Sequence, residues 1–415
     1  MDFDLPPDLI AYLGELDRFI EAQIKPLEDA DDNVRFFDHR REWARTDFEA
    51  GGLPRREWEA LLAEARRRAD VAGHYRFALP RAYGGKDGSN LWMAVIREHL
   101  ARKGLGLHND LQNEHSIVGN NPWVGIFDAY GSDAQKKQFG LGSLDGTAKI
   151  AFGLTEPQHG SDATHLDTVA VREGNGWRID GEKMWTTGMH VATYCMVFAR
   201  TSGKAGDAAG ISAFMVPADA SGVKIEEYLW TFNMPTDHPR VSFTGVKVDA
   251  GALVGPEGGG LNLAQHFVHE NRIRQAASSL GAAVYCIAEA IAYAKERKPF
   301  GKPLAANQAI QWPLVELSTQ AEMLRLLIRS TAVEMDKAAR KFGGDLSARV
   351  SMCNYIANRL CCEAADQAMQ VHGGLGYSRH KPFEHIYRHH RRYRITEGSE
   401  EIQMRKIAGR LFGFT

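Results

Sequence analysis

The hydrophobic pattern of this chain changes its period twice, near residues 148 and 255, and these changes constrain the fold more than any other feature. Before the first change, apolar residues recur every three or four positions, as in 9–24, 56–69 and 90–102, which is the spacing of one helix face. From about 148 to 250 the chain carries short β-branched or aromatic runs bounded by Gly, Pro or Asp, which favour strands. Helical spacing returns after Gly260. The order helical, β, helical predicts an α+β protein.

The length and the pattern together predict three domains. With 415 residues, the chain exceeds the roughly 250–300 at which a single core usually divides. We predict an N-terminal all-α domain over 1–147 and a central β-barrel or sandwich domain over 148–254, in which Gly174-Asn175-Gly176 turns a hairpin. The long helical patterns that follow predict a C-terminal four-helix bundle over 255–415.

The charge and composition of the chain exclude several classes of protein. The formal net charge is −2, so no overall field attracts nucleic acid. No apolar run approaches the roughly 18 residues of a transmembrane helix, and the acidic N-terminus MDFDLPPDLI lacks a signal pattern. We therefore expect a cytoplasmic protein without a membrane span. Its five cysteines have no Cys-x-x-Cys spacing and are expected to be buried, reduced thiols.

A polar turn, FGLTEPQHGSDA (152–163), follows a predicted strand. Pro157 forces the turn because its ring fixes φ and removes an N–H donor, and Gly160 lets the backbone come close to a ligand. Free N–H groups at such a turn form a concavity that suits an anionic group. An ordinary polar turn is the alternative interpretation of the same residues.

Two further blocks combine an aromatic side chain with polar neighbours. In KMWTTG (183–188), Trp185 offers a flat face to an aromatic ring, and a Thr hydroxyl can bond a ring nitrogen. The alternative is a core Trp beside two surface threonines. In ERKPFG (296–301), Arg297 lies at a helix end, where its planar fork can meet phosphate oxygens. The alternative there is a cation that complements the helix dipole.

The block ITEGSEEIQ (395–403) places Glu397 before a glycine, at an expected chain reversal just ahead of a helix. Ser399 is expected to cap this helix, and the two Glu residues after it favour the first turn. Helix caps are far commoner than catalytic bases, so these residues alone favour a helix start. A carboxylate in a dry apolar site is also the group that can remove a weakly acidic proton.

These four blocks, with QVHGG (370–374) between the third and the fourth, resemble the flavin-dependent acyl-CoA dehydrogenases over roughly residues 75–413. The resemblance implies that family's fold, with FAD as cofactor and an acyl-CoA as substrate. It implies oxidation to the trans-2-enoyl-CoA, as in fatty acid β-oxidation, with hydride transfer to flavin N5. It also implies electron-transfer flavoprotein as the electron acceptor and a homotetramer arranged as a dimer of dimers.

The resemblance also implies roles for individual residues. The catalytic base falls on Glu397, whose backbone N–H, with a ribityl hydroxyl of the flavin, would receive the charge that develops on the thioester oxygen. The acyl-CoA would contact Ser161, Arg272, Thr396 and Glu397. The residues expected to line the flavin within one subunit are Phe152, Leu154, Thr155, Ser161, Trp185, Thr187 and Ser399. Those expected to hold the FAD of a neighbouring subunit are Arg297, Phe300, Gln308, Gln370, Gly373 and Gly374.

Three positions near the expected site depart from the family pattern. Asn271 stands where some members carry the base, and an Asn cannot remove a proton, which favours Glu397. Glu270, one residue away, is a weak alternative base. His159 stands where a small residue is usual. Thr396 replaces a common tyrosine, which would widen the pocket.

Two segments lie outside the pattern. The stretch 379–394 is unusually basic, and a solvated or interface face, near the CoA phosphates, is expected there. Five histidines between 372 and 390 lack the spacing of a tetrahedral site, so we expect no metal. The segment 35–52 has no counterpart in the family pattern.

Two other functions stay open at this point. An oxidase on the same fold, of the acyl-CoA or nitroalkane oxidase type, would pass its electrons to O₂. A non-catalytic scaffold would bind FAD or CoA without turnover, although the presence of Glu397 favours an enzyme.

Overall fold

The computed structural model of the chain describes residues 4–109, 115–231, 233–338 and 343–414. These residues form an α+β structure, the class that the sequence predicts, and they divide into two compact units. The three-domain boundaries drawn from the periodicity stay a prediction. The helical unit contains Met1–Arg45, Arg56–Gly119 and His269–Thr415, and the sheet unit contains Thr46–Arg55 and Asn120–Val268.

The first part of the helical unit consists of the three helices that the N-terminal periodicity predicts and two short ones, the second and third along the chain, that it does not predict. They bury an apolar core that includes Leu16, Trp58 and Ile96. Between the last two of these helices, the predicted loop 79–88 contains one short 3₁₀ turn, Arg81–Tyr83. The helices are α1 (Pro7–Phe19), continued by a π-helical turn at Ile20–Ile24, α2 (Lys25–Asp29), α3 (Glu42–Arg45), α4 (Arg56–Val71) and α5 (Asn90–Ala101).

The sheet unit contains a small antiparallel pair and one large mixed sheet. The pair is β1 (Thr46–Asp47) and β2 (Leu53–Pro54). Three short helices precede the large sheet: α6 (Pro122–Tyr130), α7 (Asp133–Gln135) and α8 (Gly142–Asp145). The strands of the large sheet are β3 (Ile150–Gly153), β4 (Val169–Glu173), β5 (Gly176–Lys183), β6 (Tyr194–Arg200), β7 (Ile211–Pro217), β8 (Val223–Tyr228), β9 (Pro239–Asp249) and β10 (Leu253–Val254).

The large sheet is buried on both faces at its centre. Its strand order is β10-β7-β6-β4-β5-β9-β8, with β3 paired parallel to β6. Successive side chains of a strand point to opposite faces, so Met196 and Phe198 of β6 enter one apolar cluster while Cys195 and Val197 enter the other. This burial explains why β6 and β7 are continuous apolar runs rather than alternating ones. The hairpin predicted at Gly174-Asn175-Gly176 joins β4 to β5.

The long helices of the C-terminal part match the four predicted ones, and two further helices, the first of them a single turn, lie between the third and the fourth. They pack around a core with many alanines, which lets helix backbones approach closely. Pro299 and Gly301, predicted to stop the first long helix, lie just beyond its end. The helices are α9 (Gly260–Glu296), α10 (Gln308–Lys337), α11 (Gly344–His372), α12 (Gly374–Tyr377), α13 (Phe383–Tyr393) and α14 (Glu400–Phe412).

Helix α9 is long and apolar enough to cross a membrane, the one such helix among the described residues. The sequence shows no uninterrupted apolar run of this kind, because polar residues interrupt the helix. In the structure, 56% of its most apolar window is buried. Core helices pass the same test of length and composition, so the finding is weak evidence for a span.

The segment 35–52, for which the sequence offered no account, is built into both units separately. In the helical unit, Phe36 is buried in the N-terminal core, and the Arg45 guanidinium lies 4.1 Å from the ring centroid of Trp58. Glu42 accepts hydrogen bonds from Arg379 at 2.8 Å and Arg388 at 3.0 Å. The first segment of the chain is therefore tied to α13, more than 300 residues later.

The basic stretch 379–394 is only partly solvated, so the first of the two sequence interpretations is wrong for its histidines, and the interface alternative stays a prediction. The stretch forms α13, in which His385, His389 and His390 are at most 3% exposed. Burial lowers the pKa of His390 to about 3 and holds the pKa values of the other two well below the ordinary range. These histidines are therefore neutral core residues. A neutral imidazole carries no charge, so these three side chains can be buried although histidine counts as polar in the sequence pattern.

Candidate active site

The predicted base lies on a tight loop before α14. Ser399 caps this helix, since its hydroxyl accepts a hydrogen bond from the Ile402 N–H at 3.5 Å. The loop closes where the Glu400 N–H donates to the carbonyl of Arg394 at 3.1 Å. Between these points Glu397 has φ 56°, a left-handed conformation that is uncommon for a residue with a side chain. The chain reversal predicted at Glu397 is confirmed.

Arg272 holds the main chain of this loop. It is 5% exposed on α9, and both its Nε, at 3.1 Å, and its Nη2 donate to the backbone carbonyl of Glu397. Burial lowers the pKa of the guanidinium, and the neighbouring Glu397 opposes this effect. Asn271 approaches the other end of the same residue, with Nδ2 3.4 Å from Oε1 of Glu397. Arg272 is thus a buried structural cation and not an ordinary surface one.

The carboxylate of Glu400, at the end of the loop, forms ion pairs with two arginines, Arg394 at the start of the loop and Arg359 of α11. Glu400 is 7% exposed and accepts bidentate hydrogen bonds from Arg394 at 2.9 and 3.0 Å. Arg359 of α11 donates to the same carboxylate at 2.9 Å. The hydrogen bonds from these two arginines lower the pKa of Glu400 to about 2. Glu400 therefore stays ionised and fixes the start of α14 against α11, with Thr396 exposed at the tip of the loop.

In the sheet unit, a buried ion pair fixes the end of β3. Lys183 Nζ donates to Glu156 at 2.7 Å and to the carbonyl of Leu154 at 3.2 Å. Burial lowers the pKa of Lys183 to about 8, opposed by Glu156. Burial would raise the pKa of Glu156, but Lys183 and two backbone N–H donors hold it below its usual value. The Met184 N–H donates to the Thr155 carbonyl at 2.8 Å, which joins the two polar blocks 152–163 and 183–188.

Trp185 and Thr187 lie on the surface of the sheet unit beyond β5. Trp185 has φ 61° and its side chain is 46% exposed. The Thr187 hydroxyl lies 2.8 Å from Nδ1 of His238, and the Asp237 carboxylate lies 3.3 Å from the same nitrogen. A carboxylate there favours the tautomer with a proton on Nδ1. In that tautomer the Thr187 hydroxyl accepts from His238, and its own hydrogen points to the Trp185 carbonyl in a long bond of 3.5 Å.

The remaining predicted residues of the sheet unit differ in exposure. Phe152 is partly buried, and its ring stacks on Phe267 with centroids 4.9 Å apart. Ser161 is exposed on the loop that follows. His159 Nε2 lies 3.0 Å from Asp167 Oδ2, and both lie near Glu156 in an arrangement that could hold a cation. Because Lys183 already neutralises Glu156, this cluster is better described as one ion pair beside a histidine–aspartate hydrogen bond.

The residues expected to hold the FAD of a neighbouring subunit share one property, which is exposure. Phe300 is fully exposed, with φ 54°. A side-chain carbon added at Gly373 or Gly374 would meet nothing within 4 Å, so the backbone there is open to a ligand. The exposed residues of this set are Arg297, Phe300, Gln308, Gln370, Gly373 and Gly374.

Backbone strain coincides with the residues nominated from the sequence. Six non-glycine residues of the described chain have positive φ. Three of them are Asp or Asn, which tolerate this region; the other three are Trp185, Phe300 and Glu397. Such conformations cost about 1–3 kcal/mol each and cluster at functional sites. Each unit thus presents an exposed aromatic ring on a strained backbone, and the helical unit adds an open glycine pair; rings and open backbone of this kind are groups that a flat, extended cofactor such as FAD can contact.

Two site features depend on contacts that the sequence blocks do not reveal, although Gln403 is itself the last residue of the block 395–403. The first is a buried network in which Asn354 of α11 and Gln403 of α14 connect Arg272 to the loop of Glu397. The second is His238, whose ring contacts the Thr187 hydroxyl. Neither carries a local signal, because each depends on a partner at least 45 residues away in the chain.

Comparisons with known proteins agree with this arrangement. Residues 151–246 match the family model of the acyl-CoA dehydrogenase middle domain, and 258–412 match that of the C-terminal domain. The chain is 34% identical over 333 residues to the mitochondrial isobutyryl-CoA dehydrogenase of Dictyostelium discoideum, covering 79% of this chain and 76% of that protein. It is 30% identical over 342 residues to subunit CarC of the caffeyl-CoA reductase-Etf complex of Acetobacterium woodii, covering 82% and 87%. The solved complex of glutaryl-coenzyme A dehydrogenase with glutaryl-CoA superposes with a TM-score of 0.79 at 26% identity, covering 100% of this chain and 98% of that one.

Proposed function

Because the chain belongs to the acyl-CoA dehydrogenase family of FAD-dependent oxidoreductases, we propose that it oxidises an acyl-CoA to the trans-2-enoyl-CoA with Glu397 as the base. The observation that carries this proposal is the way in which Glu397 is held. Its main chain is fixed by Arg272, its carboxylate is approached by Asn271, and its loop is closed by the cap at Ser399. A general base needs such fixed geometry before its basicity matters.

The reaction removes two hydrogens from adjacent carbons of the acyl chain. The Cα–H bond breaks, and its proton passes to the carboxylate of Glu397. The Cβ–H bond breaks with its electron pair, and the carbon–carbon double bond forms. FAD, when bound, supplies the acceptor for that hydride at its N5 atom. A carboxylate suits the first step because the α-proton of a thioester is only weakly acidic.

The exposed residues described above are those that would hold the cofactor. Trp185 would cover the ring system with its indole, and the Thr187 hydroxyl would exchange its long bond to the Trp185 carbonyl, 3.5 Å, for one to a ring nitrogen. Arg297 would meet phosphate oxygens, and the open backbone at Gly373 and Gly374 would admit the chain of the cofactor.

We also propose that the chain acts as a homo-oligomer, a dimer of dimers, and that electron-transfer flavoprotein is its electron acceptor. Helix α10 supports the first proposal, since Trp312, Val315, Met323 and Leu326 are more than half exposed along it at helical spacing. Large apolar side chains of this kind are usually covered by a partner. The relative from a caffeyl-CoA reductase-Etf complex supports the second.

The proposal predicts that Glu397→Gln keeps FAD but loses flavin reduction by an acyl-CoA, by about 100- to 10,000-fold, because the amide cannot accept the α-proton. The measurement is the bleaching of the flavin band during anaerobic titration with a panel of acyl-CoAs of different chain length and branching. Glu401→Gln is the matched control, since Glu401 is an exposed residue of the first turn of α14. It should reduce at the wild-type rate.

Each other outcome favours a different function or a different base. Reduction of Glu397→Gln at the wild-type rate would remove Glu397 from the base position. Rapid reoxidation in air with release of peroxide would favour the oxidase. A bound flavin that no acyl-CoA bleaches would favour the scaffold, and reduction of enoyl-CoA without the reverse reaction would favour a reductase like the caffeyl-CoA relative.

A further inference from the structure

The loop that carries Glu397 rests on a buried polar network whose centre is Asn354. This residue lies on α11 and is 1% exposed. Its Nδ2 donates to the carbonyl of Arg272 at 3.0 Å and to Oε1 of Gln275 at 3.3 Å. Its Oδ1 accepts from Gln403 at 3.0 Å and from Asn358 at 3.2 Å. Both donor hydrogens and both acceptor positions of the amide are therefore used.

Two of these bonds lead directly to the main chain of the loop. Gln403 uses the same Nε2 to donate to the carbonyl of Gly398 at 2.9 Å. Arg272, whose carbonyl is bound by Asn354, grips the carbonyl of Glu397 with its guanidinium. The carbonyl of Glu397 is thus held from α9, and the next carbonyl, that of Gly398, is held from α14. Asn354 connects both holders.

Because Glu397 and Gly398 both have positive φ, the segment persists only while its surroundings determine it. An amide whose bonds are all satisfied has one orientation, so it fixes the two holders relative to each other. The geometry points to Asn354 as a positioning residue for Glu397, acting through Arg272 and Gln403. This inference rests on the proposed function in so far as Glu397 is the base.

The test replaces Asn354 with leucine, which has a similar shape and makes none of the four hydrogen bonds. Since a misplacement of about 1 Å can cost about 100-fold in rate, we expect flavin reduction by the acyl-CoA to slow by about that factor. FAD content and KM should stay near the wild-type values. Hydrogen–deuterium exchange of the peptide 394–403 should become faster.

Two other variants keep the test decisive. Gln403→Met breaks only the link between Asn354 and Gly398, so it should show the same pattern in milder form. This variant carries the test if Asn354→Leu fails to fold. Ser351→Ala removes a buried hydroxyl from the same helix whose bond is to its own turn, at the carbonyl of Ser347. It should reduce and exchange as the wild type does.

The outcomes separate this inference from the proposed function. Rates and exchange in Asn354→Leu and Gln403→Met that equal those of Ser351→Ala would overturn it. A fall in FAD content and a rise in KM in proportion to the loss of rate would also overturn it, because a general structural role would give that result. If no acyl-CoA bleaches the wild type, the proposed function fails, and faster exchange of 394–403 in the two variants alone supports the positioning role.

Discussion

Asn271 is the side chain whose amide approaches the carboxylate of Glu397, at 3.4 Å. An aspartate of the same shape at this position would put two negative charges together, which disfavours ionisation of the base. We therefore expect Asn271→Asp to slow flavin reduction at neutral pH and to restore it at higher pH. The acidic limb of the rate profile should move up by about one pH unit or more. The measurement is the rate constant of flavin reduction as a function of pH.

Asn271→Ser is the control for this prediction, because it removes the amide without adding a charge. Its acidic limb should not move upward. An Asn271→Asp profile that superimposes on that of the wild type would show that residue 271 does not face the base.

Single residues at the site differ in how far the sequence could identify them. The turn at Glu397 and the cap at Ser399 follow from a glycine and a serine in the right order, so local chemistry predicts both. Arg272 could be matched to a position near the site, but its role could not, because its acceptor lies 125 residues later. Asn354 carries no local signal, since a buried asparagine in a helix depends entirely on its partners.

At the scale of elements, the connection between α9 and α10 displays Phe300 in an unusual way. The side chain is fully exposed and its backbone is left-handed. Phe300→Gly should change the free energy of unfolding by less than about 1 kcal/mol, because relief of strain offsets the greater chain entropy of glycine. It should nevertheless weaken the retention of FAD, which the resemblance assigns to this ring. The measurement is the flavin-to-protein ratio after gel filtration, beside the unfolding midpoint.

Phe300→Tyr is the matched variant, because it keeps the ring and should keep FAD. If Phe300→Gly retained FAD as well as Phe300→Tyr does, the ring would have no part in holding the cofactor.

Helix α13 shows where reading elements from sequence reaches its limit. The long helices were predictable because their apolar residues repeat with the helical period. In α13 the interior positions include three histidines, and histidine in a run of arginines looks like a solvated face. The burial follows from distant partners, among them Glu42 for Arg379 and Arg388. No pattern within 379–394 contains that information.

At the scale of the whole molecule, buried histidines predict a dependence of stability on pH. Burial lowers the pKa of His39 and His108 to about 4 and that of His390 to about 3. In the unfolded chain their pKa is about 6.5, so between these values the unfolded state binds more protons. Stability is therefore fully present above about pH 6.5 and falls as the pH drops toward 4, by about 1.4 kcal/mol per pH unit for each such histidine.

This prediction is measured by urea unfolding at pH 7.5 and pH 5.0. His390→Asn should flatten the dependence, and the exposed His380→Gln should not. Equal free energies of unfolding at the two pH values would contradict it. The neighbouring charged and titratable groups should be the same in all variants compared. Those near His39 are Asp38, Arg45, Arg379 and Arg388, and those near His108 are Lys25, Lys103 and His115. Those near His390 are His385, His389 and Arg392, and the uncharged hydroxyl of Ser279 also contacts its ring.

The tie between Glu42 and Arg379 joins residues 337 positions apart, and it sets an order for biosynthesis. At roughly 5–20 residues per second, a ribosome needs about 17–70 s to make the chain between them. The N-terminal helices emerge first and must wait through that interval with part of their surface uncovered. The sheet unit, complete at Val268, can fold during the wait. A chain released before α13 would thus contain a finished sheet unit and an unfinished helical one, which is the form that chaperones and proteases would meet.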